Sequence, residues 1–79
     1  MIPARLINGL LRYRDRHIPT GGFLRAVLQN DLEDAVIRAD PESLLALPEL
    51  VFWINAELPY ESRGSRERVG EWLATGPIT

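Results

Sequence analysis

Helix breakers stand at intervals along this chain and leave only short segments between them. His17-Ile18-Pro19-Thr20-Gly21-Gly22 is one cluster, Asp40-Pro41 a second, the stretch from Leu58 to Gly64 around Pro59 a third, and Gly76-Pro77 a fourth. Proline lacks the backbone donor and fixes φ, and glycine frees the backbone, so each cluster interrupts regular structure. Between them apolar residues recur every three or four positions, and no stretch alternates with the period of two that a half-buried strand requires. The pattern predicts an all-α fold, a compact bundle of about four helices in a single domain spanning residues 1–79.

The expected elements follow from the same punctuation. The first helix is expected from about Pro3 to Arg16, with Leu6, Ile7, Leu10 and Leu11 as its apolar stripe and Arg5, Arg12 and Arg16 at a common angle elsewhere. The second is expected from about Gly21 to Ala39, capped by Thr20. Leu24, Leu28, Leu32, Ala35 and Ala39 would face the core, and Phe23, Ala26 and Ile37 a separate side. A helix apolar on two sides is central or shared with a partner. Asp40-Pro41-Glu42 combines a cap, a proline and a first-turn acid, which predicts a third helix from Pro41 to about Glu57, kinked near Pro48. Ser65 caps a last helix, Arg66 to about Ala74, with Val69, Trp72 and Leu73 inward.

Composition narrows the chemistry. The chain has no cysteine and one histidine, which leaves no thiolate or His-rich metal site and no cofactor to expect. A chain this small with no covalent or metal staple must rely on tight packing or self-association. The nine basic residues, all arginine, stand against eleven acids, for a net charge of −2. That balance argues against direct nucleic-acid binding and against a membrane-surface peptide. The net charge is nevertheless segregated: residues 1–25 carry +4, residues 26–61 −7 and the remainder +1. The arginines of the first helix are therefore expected to be able to pair with the acidic middle of a second copy. No secretory pattern occupies residues 1–11 and no apolar run nears the ~20 residues of a membrane span; a cytoplasmic setting is expected.

The run Pro19-Thr20-Gly21-Gly22-Phe23-Leu24-Arg25-Ala26-Val27-Leu28-Gln29-Asn30-Asp31-Leu32, then Ala39-Asp40, Leu58-Pro59, Gly64-Ser65 and Glu71-Trp72-Leu73, resembles a group of small proteins encoded by tailed phages and prophages. These share a P-x-G-G-F-L-x-A-V-L-x-N-D-L core, and the resemblance covers roughly residues 12–74. It assigns no role to any residue. It implies a phage or prophage context, in the cytoplasm of a bacterial host. By analogy with phage proteins of this size, it also implies a stoichiometric inhibitor of a host defence or regulatory protein, of the anti-CRISPR type or similar.

Three sets of residues are candidates for such work. Asp31, Glu33, Asp34 and Glu42 form an acidic face suited to a basic host protein. Thr20, Gly21 and Gly22, with Arg16, His17 and Arg25 nearby, would offer free backbone N–H groups and positive charge to an anion such as a nucleotide signal, making the chain a small oligomeric sponge. The glycines fit neither of the common nucleotide-loop patterns. Phe23, Asn30, Ile37 and Trp53 are interface candidates, Trp53 because adjacent Phe52 and Trp53 point about 100° apart on a helix. His17 stands in no arrangement of nucleophile and acid, so no enzyme activity is expected. A structural accessory protein is the remaining alternative.

Overall fold

The computed structural model describes residues 1–76. Helices α1 (Ala4–Arg16), α2 (Gly22–Leu28), α3 (Leu32–Arg38), α4 (Pro41–Glu57) and α5 (Arg66–Ala74) are joined by short turns, with one 3₁₀ turn at Tyr60–Ser62. The all-α expectation holds, with no strand among the described residues. The radius of gyration, 11.7 Å, matches the roughly 11.6 Å of a close-packed chain this long.

The expected second helix is instead two. Gln29 and Asn30 end α2, and Asn30 sits in the left-handed region at φ 62°. Its N–H donates to the Val27 carbonyl at 3.1 Å and that of Asp31 to Ala26 at 2.9 Å, closing the helix end with the paired bonds of a Schellman turn. Asp31 then opens α3, its carboxylate accepting from the Asp34 N–H at 3.1 Å. The turn re-aims the apolar pattern. Leu24, Leu28 and Ala35 are buried as expected, but Leu32 is 69% exposed and Ile37 73%.

The other boundaries follow their caps. Asp40 accepts from the Ser43 N–H at 2.8 Å and starts α4; Ser65 accepts from the Arg68 N–H at 3.1 Å and starts α5. The helix α4 continues through Pro48, which lies on the exposed side. Its missing bond therefore frees a carbonyl that water can satisfy. Pro77, expected to terminate the last helix, lies outside the described residues.

The core joins Leu6, Leu10 and Tyr13 of α1, Leu24 and Leu28 of α2, Leu50 and Ile54 of α4, Leu58 and Val69. Each fully buried aliphatic side chain contributes about 1.5–3 kcal/mol by leaving water. Gly64, at φ 106°, lets its N–H reach the Leu28 carbonyl at 2.7 Å and ties the end of α2 to the turn before α5. The segregated charge is used within the chain. Arg5 binds Asp40 and Glu42, each at 3.1 Å, the terminal amine binds Glu49 at 2.9 Å, and Arg14 lies 4.0 Å from Glu57. Part of the basic start thus meets the acidic middle of its own chain, through Arg5, Arg14 and the terminal amine.

Candidate binding cleft

A cleft of about 420 Å³ opens between α1, the 19–22 turn, the end of α3 and the start of α4. Its apolar wall is Leu6, Pro19, Phe23 and Leu24; its polar wall is Arg5, Arg12, Thr20, Arg38, Asp40 and Ser43. The fold brings these together through two close approaches. A Cβ on Gly9 would touch Leu24 Cδ1 at 3.4 Å, an ordinary packing distance, so α1 passes directly against the Leu24 side chain of α2. A Cβ on Gly22 would stand 2.9 Å from the Arg38 guanidinium, so glycine there lets Arg38 cross over the start of α2.

The three arginines differ in what they already hold. Arg5 bridges Asp40 and Glu42. Arg38 is held by Asp34 at 2.9 Å, one turn back on α3. Arg12 is exposed and pairs with no carboxylate among the described residues. Asp40 has its carboxyl held below the usual carboxylate range by hydrogen bonds from the Ser43 hydroxyl and N–H, with Arg5 adding to them, so this acid stays ionised and Arg5 stays neutralised. Thr20 turns its hydroxyl onto the Gly21 carbonyl at 3.2 Å.

The expected anion set is split by the fold. Thr20, Gly21 and Gly22 line the cleft. Arg16 is exposed and outside it. Arg25 lies on the far side of Gly22, in a second groove of about 380 Å³ with Arg38 and Arg66. His17 is turned away: its ring stacks on Trp72, and its Nδ1 hydrogen-bonds the Trp72 carbonyl. The helix behind the glycines is two turns long, not the five expected, so its dipole adds less to anion attraction. The charge comes instead from Arg5, Arg12 and Arg38, which are 15, 8 and 16 residues from Thr20, Thr20 and Gly22 in sequence. No local motif signals them. Arg12 was visible only as part of the basic stripe on the first helix.

The acidic candidates have structural duties. Asp31 caps α3, Asp34 pairs with Arg38 and Glu42 with Arg5. Glu33 is exposed and makes no ion pair among the described residues. Of the interface candidates, Phe23 and Trp53 are half-buried against the core, Asn30 makes the left-handed turn and Ile37 is exposed. Between the adjacent aromatics it is Phe52, at 78% exposure, that faces outward.

Among the described residues no cluster of His, Cys, Asp and Glu is arranged to hold a metal ion, and no helix is long and apolar enough to cross a membrane. Comparison of the chain with models of known protein families, with curated proteins and with solved structures returned no match.

Proposed function

We propose that this chain is a non-enzymatic binding protein that takes an anionic ligand in the cleft beside Gly21 and Gly22. The observation that carries the reading is Arg12, a guanidinium with no carboxylate partner among the described residues, on the wall of a cleft of about 420 Å³ that also holds the Gly21-Gly22 turn. Small-molecule sites have volumes of roughly 300–1,000 Å³ and combine apolar walls with a few convergent polar groups. A cleft lined by Leu6, Phe23 and Leu24 as well as by arginines suits a ligand with a flat apolar part and a phosphate, as in a nucleotide. In a phage setting, inside the host cytoplasm, such a protein acts by sequestering a nucleotide signal.

The test is a thermal-shift and calorimetric panel of mono-, di- and cyclic nucleotides with inorganic phosphate as the control anion. Saturable stabilisation that disappears in Arg12→Glu is expected. A flat response across the panel overturns the reading.

A second reading, stoichiometric inhibition of a host defence or regulatory protein, is favoured by the outward side of α3. There Glu33 carries an unpaired charge beside exposed Leu32 and near exposed Ile37. It predicts that Glu33→Arg abolishes capture of a basic host protein while the fold persists. Capture that is indifferent to that change removes it.

A further inference from the structure

The outward side of α4 carries large apolar side chains that nothing among the described residues covers. Leu44, Leu45, Val51 and Phe52 are 44%, 84%, 42% and 78% exposed, while Ser43, Ala46, Leu50 and Ile54 take the inward side. A helix apolar all round belongs in an interior. The arrangement of the exposed four is not random about the helix. They sit three and four residues before Pro48 and three and four residues after it, and Pro48 is itself exposed at the centre.

We infer that this seam is the interface of a homodimer in which two copies of α4 pack antiparallel across a two-fold axis passing by Pro48. A two-fold contact must be self-complementary, each patch meeting its own copy. Reversal about Pro48 achieves that here. Residues at −3 and +4 share one flank of the helix, so Leu45 meets Phe52 of the partner subunit. Residues at −4 and +3 share the other flank, so Leu44 meets Val51 of the partner subunit. No large apolar side chain of the seam is left opposite a charge.

Two further features point to a second copy. The first is charge. Arg63 donates to the Asn55 amide oxygen at 3.0 Å, which fixes its guanidinium seven residues beyond Pro48, and it pairs with no carboxylate among the described residues. Position 41 lies seven residues before Pro48, so the same axis sets Arg63 opposite the Asp40-Pro41-Glu42 turn of the partner subunit. Two carboxylates there share one guanidinium within their own chain, Arg5, which leaves the turn negative. The second is area. Leu32 of α3, 69% exposed, adjoins the seam, sharing a shallow recess with Leu47 and Val51. At about 200 Å² for a fully exposed large side chain, the combined patch offers roughly 600 Å², against the roughly 800 Å² per partner of a standard stable interface.

The experiment is light scattering and sedimentation of the whole chain together with seam variants. The expected mass is twice the 8.9 kDa of one chain. Leu45→Glu and Phe52→Arg each place a charge on an exposed position, so both should stay helical by circular dichroism while the dimer dissociation constant rises at least 100-fold. Mixing the two variants should restore a dimer, because Glu at 45 of one chain meets Arg at 52 of the other. In addition, Pro48→Cys in this cysteine-free chain should form an intermolecular disulfide on mild oxidation, whereas Glu67→Cys should not. A monomer at 100 μM, a dimer that survives both single substitutions, or a mixture that stays monomeric overturns the proposal. Nucleotide titration of the monomeric variants reads the cleft separately, so loss of the dimer and loss of the ligand are distinguishable.

Discussion

The Trp72 indole lies face to face with the His17 imidazole, ring centroids 4.1 Å apart and planes 16° apart. Its Nε1–H donates to the Tyr13 carbonyl at 2.8 Å, and its own carbonyl is hydrogen-bonded by His17. Tyr13 and His17 lie on the last turn and cap of α1, where His17 adopts φ 56°. One residue of α5 thus holds the end of α1 from both a ring and a main-chain carbonyl. Trp72→Ala removes the stack, one hydrogen bond and a half-buried aromatic surface. It should cost about 3 kcal/mol in urea denaturation, at the low end for large aromatics because Trp72 is not fully buried. A loss under 1 kcal/mol would mean that α1 and α5 are held together elsewhere.

The left-handed turn at Asn30 gives a second prediction. A β-carbon in that region costs roughly 1–2 kcal/mol, a cost that asparagine partly offsets and glycine avoids. Asn30→Ala should therefore lower unfolding free energy by about 1 kcal/mol, and Asn30→Gly should be close to neutral. If alanine were as stable as asparagine, α2 and α3 would be joining as one helix, and circular dichroism would show the added helicity.

That turn also marks where the sequence misleads. Leu24, Leu28, Leu32 and Ala35 keep a helical spacing straight across it, and the period alone runs two helices into one. The signals against this were local: Asn30 suited to a left-handed turn, and Asp31 followed three residues later by Asp34, the spacing of a side-chain cap. Asp40-Pro41 and Ser65 carry the same kind of signal next to stronger breakers, and there the helix starts were legible. Tyr13 is 1% exposed; its spacing of three from Leu10 and seven from Leu6 places it on the buried stripe. The cleft was legible only in Thr20, Gly21 and Gly22. Its arginines come from two helices, α1 and α3, and which of them keeps a free charge depends on pairings such as Arg5 with Asp40 that no sequence spacing encodes.

Asp40 sets the behaviour in acid. Hydrogen bonds from Ser43, then Arg5, hold its carboxyl below the ordinary value in the folded chain. A depressed folded value means that its stabilisation is present above the unfolded value of about 4 and is lost as pH falls through the lower folded one. Asp40→Asn keeps a capping oxygen but no charge. The stability gap between wild type and Asp40→Asn should be constant from pH 7 to about 5 and should shrink below about 4. A gap that is the same at pH 3 and pH 7 would show that the charge at this cap does not favour the folded state.

Tyr13 sets the behaviour in base. Its hydroxyl donates to the Ser62 carbonyl at 2.6 Å inside the core, and burial pushes its pKa up to about 12, with Arg25 opposing. The neutral phenol is the form the fold accepts, while the unfolded phenol ionises near 10. The stabilisation is thus fully present below pH 10 and is lost progressively as pH rises from about 10 to about 12, a loss on the order of 2 kcal/mol. Tyr13→Phe cannot ionise. It should be less stable than wild type at pH 7 by about 1 kcal/mol, chiefly because the Ser62 carbonyl loses its buried donor. Its stability should then fall less steeply above pH 10, so that the two proteins become equally stable near pH 11 and Tyr13→Phe is the more stable by about 1 kcal/mol at pH 12. Parallel decline of the two proteins across that range would place the alkaline transition on another group and would mean that the Tyr13 hydroxyl reaches water in the folded chain.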